Sequence, residues 1–438
     1  MTKSDITEIQ EEADIAGGNE EKNDDQLVIE IREIVNRPEI ESSKECRIYR
    51  VPKRLRKWKE EAYTPQVVSI GPFHHKNERL KAMEGHKERY LRSFLQRSKI
   101  NSEYLVSEIR AIEGNIRGCY EEIVDLTSDG FVKMILLDAI FILELFIRVR
   151  QASDRVSSCQ ASDPNVVYPW HADIMEDLLL LENQLPFFVI KKLYDLANLS
   201  LPGGLLQLSL DYFKYLNMQR IVANPDVKIE HFTDLIRTFH LPPLAKQPIR
   251  SNELVKHLYP ATRLHEAGVK FEVVKSECDF DIKFEGGVLK IPSRGLEDCT
   301  EVVTRNIMAL EQTRYIENAY FTDYFIFMDL LINTKEDVDL LCGKQIFVNY
   351  LGDNNAATVM INDLNKGIIW RTVRDDYLKL CEELNKFYES PWHRMKATLK
   401  GEYFSTPWRT ASTFAAIILL LLTFVQTIFS TFPAFKAK

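Results

Sequence analysis

The sequence predicts a mainly α-helical fold with a small β element, of the α+β class, followed by a single C-terminal transmembrane helix. Apolar residues recur at helical spacing along most of the chain. Strand-like alternation with glycine turns is concentrated at residues 269–352. Residues 410–432 contain no charged side chain. The chain has 438 residues, 45% of them hydrophobic, which is enough for a large core.

Residues 1–43 are expected to form an acidic, disordered tail. Residues 1–46 carry 14 acidic and 5 basic side chains, and such a composition opposes the formation of a core. A short helix is expected at residues 26–35. Residues 44–405 are expected to form one compact, mostly helical domain, because no long polar linker divides them.

A basic segment follows the tail, with seven cations and two interleaved aromatic residues. Clusters of this kind bind anions, nucleic acid among them. In a membrane-bound protein the favoured anion is the lipid headgroup, and nucleic acid is disfavoured. The alternative is a solvated surface partly paired with the acidic tail. The candidate lipid contacts are Arg47, Arg50, Lys53, Arg54, Arg56, Lys57 and Lys59.

Helices are predicted along the rest of the domain from the spacing of apolar residues. The segment 131–149 is apolar nearly all round, which is typical of a buried central helix. Pro186 should interrupt the helical segment 173–196. The remaining predicted helices are 78–97, 102–120, 205–216, 229–241, 299–318, 321–333 and 372–388.

Strands are predicted where apolar and polar residues alternate between turn residues. Residues 65–73 should form a short strand that ends at a Gly-Pro turn. Further strands are predicted at 269–274, 280–292 and 346–352, with a hairpin at Glu285-Gly286-Gly287.

Polar residues interrupt two apolar runs. Glu182, Asn183 and Gln184 lie between "LLLL" and "LPFF", and Glu311-Gln312 could join them in a buried polar network. Buried carboxylates can act as acids or bases. The favoured interpretation is structural, because Pro186 leaves backbone groups of the preceding turn without partners.

The uncharged segment 410–432 is long enough to span a bilayer, since a helix rises about 1.5 Å per residue across a core of about 30 Å. Trp408 and Arg409 precede it, and Lys436 and Lys438 lie in the short tail 433–438. The alternative is a buried core helix. Without an apolar leader sequence, the bulk of the chain is expected in the cytosol, on the plasma membrane or an endomembrane.

Small and polar residues share one face of this predicted helix. In lipid, close approach at small residues and interhelical hydrogen bonds drive helix association, so this face predicts contact with a second copy or with a partner's helix. The alternative is that the hydroxyls bond their own helix and Gln426 reaches the interface. The face comprises Ser412, Ala415, Ala416, Thr423, Gln426, Thr427 and Ser430.

No phosphate-binding loop, nucleophile elbow or zinc-protease motif occurs, and no cofactor is expected. The seven cysteines are scattered without a Cys-x-x-Cys pair, which suits a reducing compartment. The nearby histidines His74, His75 and His86 lack further ligands at metal-binding spacing, so no metal site is predicted.

Several phrases resemble one known family. They include "IYRVPKRLRKWKEEAYTPQVVSIGPFHH", "DLLLLENQLPFFVIKKLY" and "YFSTPWRTASTFAAIILLLLTFVQTIFS". The chain resembles the plant-specific domain-of-unknown-function 247 family over about residues 46–432. The resemblance implies a mostly helical plant protein with a C-terminal membrane anchor and no established enzymatic activity. Some family members are implicated as male-side recognition determinants in grass self-incompatibility.

These observations favour a membrane-anchored, non-enzymatic recognition or signalling protein that acts through an unidentified protein partner. The rival is a membrane-associated enzyme that uses the buried carboxylates. A closed apolar pocket converging on Glu182 and Glu311 would favour the enzyme, and a packed core there would favour the interaction protein.

Overall fold

The structure is a computed structural model that describes the ordered domain and the C-terminal helix. Most of the predicted tail 1–43 lies outside the described residues; Leu27, Val28, Ile31 and Arg32 within it are helical. The described ranges are 47–157, 171–199, 201–217, 221–222, 227–242, 249–251, 253–276, 278–369, 372–392 and 407–435, with residues 395 and 403.

The first half of the domain is built around one long helix. That helix, α5, has a buried stretch from Phe131 to Ile147 that is interrupted only by the exposed Lys133, so the predicted central helix is confirmed. Helices α2, α3, α7 and α8 pack against it. The helices of this half are α1 Lys53–Arg56, α2 Glu84–Ser98, α3 Ser102–Arg110, α4 Glu113–Arg117, α5 Ser128–Ser157, α6 His171–Asp177, α7 Phe187–Leu196 and α8 Gly204–Tyr212.

Two of the predicted helices are interrupted. The segment 102–120 divides into α3 and α4. The segment 173–196 divides into α6 and α7, and Pro186 is the N-cap residue of α7. Pro186 has no N–H to donate to the carbonyl of Glu182, which opposes a helix across this point. Residues 178–186 lie in turns and irregular structure between the two helices.

The second half of the domain combines helices with short strands. Helix α11 packs against α9 and α12, and α13 packs against α14. Its helices are α9 Phe232–Thr238, α10 Ala261–Ala267, α11 Thr300–Thr313, α12 Tyr320–Leu331, α13 Lys335–Gly343, α14 Asn354–Leu364 and α15 Asp375–Glu389.

Two small sheets complete this half. The strands are β1 Lys270–Val274, β2 Lys283–Glu285, β3 Val288–Pro292, β4 Arg294–Leu296 and β5 Phe347–Asn349. The first sheet has the order β1-β3-β2, with β1 parallel and β2 antiparallel to β3, and the second pairs β4 with β5 in parallel. The predicted hairpin is confirmed: Gly286 and Gly287, at φ +58° and +80°, join β2 to β3, as a tight two-residue turn requires.

The strand predicted at residues 65–73 is wrong. This segment contains bends and belongs to no sheet, because its N–H groups donate to buried side chains and not to a neighbouring strand. One contiguous hydrophobic core reaches from Ile48 to Leu384 and includes Val68 and Ile70 of this segment.

The C-terminal helix α16 spans Pro407–Phe435 without interruption. Among the described residues it is the one helix long and apolar enough to cross a membrane, over Pro407–Ile428. None of its most apolar stretch is buried in the protein, so the alternative of a buried core helix is wrong.

Candidate functional site

The polar centre of the domain is built around segment 66–71. Asp177, at the C-terminal end of α6, accepts hydrogen bonds from the N–H groups of Gln66, Val67 and Val68 at 2.7–2.8 Å. Burial raises the pKa of Asp177 to about 6, although the three N–H donors act in the opposite direction. One carboxylate therefore replaces the neighbouring strand that this segment lacks.

The two amides after Glu182 bond to backbone groups. Asn183 Oδ1 accepts the N–H of Ile70 at 2.7 Å, and its Nδ2 donates to the carbonyl of Val68 at 3.0 Å. Gln184 Nε2 donates to two carbonyls of the preceding turn, and its Oε1 accepts the N–H of Phe232 at 2.9 Å. Both side chains are fully buried, and they join the 178–186 loop to segment 66–71 and to α9.

A buried ion pair closes the other end of the segment. Lys87 Nζ lies 2.6 Å from Asp138 Oδ1 and donates to the carbonyl of Ser69, also at 2.6 Å. The other carboxylate oxygen of Asp138 accepts the N–H of Gly71 at 2.8 Å. Gly71 has φ +73°, and a Cβ there would lie 2.5 Å from the carbonyl oxygen of Gln184, so glycine is required.

Glu182 binds the basic segment to this centre. Its Oε1 accepts the N–H of Val51 at 2.7 Å, and its Oε2 lies 2.9 Å from Arg50 Nη1 and 2.6 Å from Arg56 Nη2. His74 Nε2 is 3.4 Å from the same oxygen. Burial would raise the pKa of Glu182, but His74 and the Arg56 guanidinium lower it to about 2. The carboxylate is therefore ionised at neutral pH.

The predicted lipid-binding cations are divided between the interior and the surface. Arg54 Nε donates to the carbonyl of Gly367 at 3.1 Å, and its Nη2 donates to Gln312 Oε1 at 3.3 Å. Lys53, the first residue of α1, and Lys57, directly after its last residue, are exposed. Arg47 lies 3.9 Å from Glu230, and Lys59 lies 3.2 Å from Glu301. Headgroup contact stays a prediction, and Lys53 and Lys57 present it best.

Glu311 occupies a separate buried cluster. Its Oε1 accepts from Arg237 Nε and from the N–H of Phe321, both at 3.1 Å. Its Oε2 accepts both the N–H and the hydroxyl of Thr322 at 2.8 Å. Because Phe321 and Thr322 lie in the first turn of α12, the carboxylate of α11 caps the N-terminus of the next helix.

Gln312 does not join Glu311. Its side chain is partly exposed, and its Oε1 accepts the N–H of Ile369 at 2.9 Å. The residues singled out from the sequence therefore lie in three places: Glu182 to Gln184 at segment 66–71, Glu311 between α11 and α12, and Gln312 beside residues 367–369.

The sequence interpretation missed Lys87, Asp138, Asp177 and Asn306 as members of the buried polar centre. Asn306 accepts the N–H of Leu181 at 2.9 Å and donates to the carbonyl of Ala62 at 2.7 Å. A signal was available for Lys87, which lies on the apolar face of its helix, and for Asp138, which interrupts an apolar helix. Nothing in the local sequence identifies Asp177 or Asn306.

An apolar groove of about 440 Å³ lies on the surface between α2, α3 and α5. Its walls include Leu91, Val106 and Leu137, and its rim carries Arg92 and Lys133. A smaller cavity of about 180 Å³ lies beside Arg54 and Arg250, and a third of about 240 Å³ lies beside Arg150 and Asp211. None of these three is lined by Glu182 or Glu311. Within the described ranges, no group of three His, Cys, Asp or Glu residues could hold a metal ion.

The small and polar face of α16 lies on an uninterrupted helix. Thr423 and Thr427 each donate their hydroxyl to the carbonyl four residues earlier, at 2.8 Å. Ala416 and Gln426 are exposed, as are Ser412 and Ala415. The side chain of Ser430 lies outside the described residues. Association through this face stays a prediction.

Comparison with known proteins gives the family. The family model DUF247, plant protein of unknown function, matches residues 48–422. The chain is 27% identical over 417 residues to UPF0481 protein At3g47200 of Arabidopsis thaliana, covering 87% of this chain and 85% of that protein. A second Arabidopsis thaliana protein, UPF0481 protein At3g02645, is 24% identical over 497 residues, covering 89% and 92%. No solved structure matches the chain. Because the family model spans most of the chain, this protein belongs to the plant DUF247 family, as the phrases of its sequence predict.

Proposed function

We propose that this protein is a membrane-anchored, non-enzymatic recognition or signalling protein whose domain binds a protein partner. The observation that carries the proposal is the apolar groove between α2, α3 and α5. It is open at the surface and about 440 Å³ in volume, and its walls are mostly aliphatic, with Leu91, Val106 and Leu137 among them. Apolar grooves between helices are a common docking site for an amphipathic helix.

The proposed occupant is an amphipathic helix of a partner protein, with acidic residues beside its apolar face. Four of the charged residues on the rim form two ion pairs, and the charges cancel within each pair. Arg110 lies 2.6 Å from Asp129, and Arg92 lies 3.9 Å from Glu88. Lys133 is exposed, and the described part of the chain gives it no ion-pair partner. The rim therefore keeps one uncompensated positive charge, which an acidic side chain of the partner would complement.

The non-enzymatic part of the proposal is supported by the bonding of the two buried carboxylates. A general acid or base must reach a proton of the substrate. Each oxygen of Glu182 and Glu311 instead accepts at least one hydrogen bond from the protein itself. These hydrogen bonds support a structural role for both Glu182 and Glu311.

The membrane-anchored part is supported by α16, which is apolar over Pro407–Ile428 and is not buried in the domain. We further propose that the domain faces the cytosol. The five described cysteines, Cys119, Cys278, Cys299, Cys342 and Cys381, are all free thiols, as a reducing compartment would keep them. Protease added to sealed microsomes should degrade the domain. A domain that survives intact until detergent is added would overturn this orientation.

Site-specific photocrosslinking tests the docking groove. A photoreactive amino acid at Val106, which is 36% exposed, should capture one partner in the native membrane. The same probe at Val359, 52% exposed on α14, is the matched control and should not capture it. The captured segment should be helical with acidic residues, and a peptide of that sequence should bind the purified protein.

A substitution completes the test. Val106→Asp places a charge in the apolar wall and should abolish peptide binding, whereas Val359→Asp should leave it unchanged. Equal capture from both positions, or a peptide that binds the Val106→Asp variant as tightly as the unmodified protein, would rule out the groove as the docking site.

A further inference from the structure

The cavity beside Arg54 has a composition that differs from that of the docking groove. It lies between Ile369, Thr372 and helices α11 and α12, and its volume is about 180 Å³. Ile316, Ile326 and Ile369 supply apolar wall, while Arg54 and Arg250 bring two guanidinium groups to it. A cavity of about 150 Å³ accommodates benzene, so this one has room for a compact organic molecule.

One of the two guanidinium groups is already neutralised. Arg250 binds Asp323 through both ends of its guanidinium, with Nη1–Oδ2 at 2.9 Å and Nη2–Oδ1 at 3.1 Å. Its Nε donates to Thr372 Oγ1 at 3.0 Å, and Nη2 also donates to the carbonyl of Thr372. This fork-to-fork arrangement consumes the charge and most of the donors of Arg250.

Arg54 has only neutral acceptors. Its Nε and Nη2 donate to the carbonyl of Gly367 and to Gln312 Oε1, and among the described residues no carboxylate lies within ion-pair distance of it. Gln312 is itself held in place by the N–H of Ile369 at 2.9 Å. A partly buried guanidinium without an anion is unfavourable, and an anion beside it would be stabilised.

We propose that this cavity binds a small monocarboxylate with a compact apolar body. The carboxylate pairs with the Arg54 guanidinium, and the body lies against Ile316, Ile326 and Ile369. A single negative charge fits because only one guanidinium lacks a counter-ion. A phosphate dianion would leave one charge uncompensated against aliphatic wall.

Benzoate is the first probe, with benzamide as its neutral counterpart of nearly the same shape. Binding to the purified full chain in detergent micelles can be measured by titration calorimetry. Benzoate should bind at least about tenfold more tightly than benzamide, because charge-assisted hydrogen bonds are the stronger kind. Equal affinity for the two compounds, or no binding of benzoate at millimolar concentration, would overturn the proposal.

Two substitutions test the site separately from the fold. Arg54→Gln should remove the preference for benzoate and leave the weak binding of benzamide, which also reports an intact cavity. Ala319→Leu fills the cavity while keeping Arg54, and it should weaken both compounds. Arg110→Gln removes a positive charge from the distant groove and serves as the control, so it should leave benzoate binding unchanged. Benzoate affinity that survives Arg54→Gln, or that survives Ala319→Leu, would contradict the assigned site.

Discussion

Arg50 and Glu182 are 132 residues apart in the sequence, yet Arg50 Nη1 lies 2.9 Å from Glu182 Oε2. This pair joins two features that nothing in the sequence connects, the basic segment and the polar interruption before Pro186. The N–H of Val51 and the Arg56 guanidinium bind the same carboxylate. Part of the positive charge of the basic segment therefore serves to attach the start of the domain to its interior.

Glu182→Gln should destabilise the domain by roughly 3 kcal/mol at neutral pH. The folded-state pKa of Glu182 is about 2, against an ordinary value of 4.5, and a tenfold change in an ionisation constant corresponds to about 1.4 kcal/mol. Since the folded pKa is lowered, this stabilisation is complete above pH 4.5 and is lost as the pH falls towards 2. Urea unfolding of the full chain in detergent, at pH 7 and pH 3, measures both values. Glu317→Gln, at an exposed glutamate, is the control. An effect that does not shrink at pH 3 would contradict the assignment.

Lys87→Met should cost about 3–5 kcal/mol of unfolding free energy, because it leaves the Asp138 carboxylate buried without its cation. Asp138→Asn should cost less, because Glu84 Oε1 lies 2.7 Å from Lys87 Nζ and still pairs with the ammonium group. The double variant should lose much less than the sum of the two, since neither charge is then left alone. Denaturant unfolding of the unmodified protein, the two single variants and the double variant gives the coupling free energy between Lys87 and Asp138. Additive losses would show that the two residues do not act as a pair.

Lys53 and Lys57 should carry any attraction of the domain to anionic lipid. They are exposed, whereas Arg50, Arg54 and Arg56 donate to groups inside the protein. Lys53→Gln with Lys57→Gln should weaken binding of the anchor-free domain to phosphatidylserine vesicles by about 1 kcal/mol per charge at low salt. The matched control is Lys335→Gln with Lys344→Gln, at the first residue of α13 and directly after its last. If both pairs reduce binding equally, the basic segment has no special role.

Truncation before Thr410 should release the protein from membranes. In the described part of the chain, no other helix is long and apolar enough to span a bilayer. After carbonate washing, the full chain should remain in the membrane fraction and the truncated chain should be soluble. A truncated chain retained in the washed membrane would reveal a second means of attachment.

The helix α16 should associate through Ala416 and Gln426. Thr423 and Thr427 already bond carbonyls of their own helix, so the glutamine amide and the small alanine are the stronger candidates. Gln426→Leu with Ala416→Leu should reduce self-association or partner association in a bilayer reporter assay, with unchanged insertion. Leu420→Ala with Leu421→Ala is the control pair. Association that persists in the Gln426 and Ala416 variant would assign this face to the monomeric helix alone.

The sequence predicted the elements whose signal is local. The central helix α5 follows from its apolar residues, and the hairpin follows from Gly286-Gly287. The strand at 65–73 was predicted from the same kind of signal and is wrong, because Asp177 and Asn183 take the place of a partner strand. Their partners lie about 110 residues away, and no local pattern can indicate such a distance. The contact between Arg50 and Glu182 could not be predicted for the same reason, since the two residues are 132 positions apart.

The bonds of segment 66–71 also fix an order of events during synthesis. The carbonyl of Val68 accepts a hydrogen bond from the side-chain amide of Asn183, which is synthesised 115 residues later. At about 5–20 residues per second, this interval is roughly 6–23 s of translation. Until Asn183 has left the ribosome, the N–H of Ile70 and the carbonyl of Val68 lack their final partners. Chains that stall before that point cannot complete the core and should be recognised by chaperones and proteases.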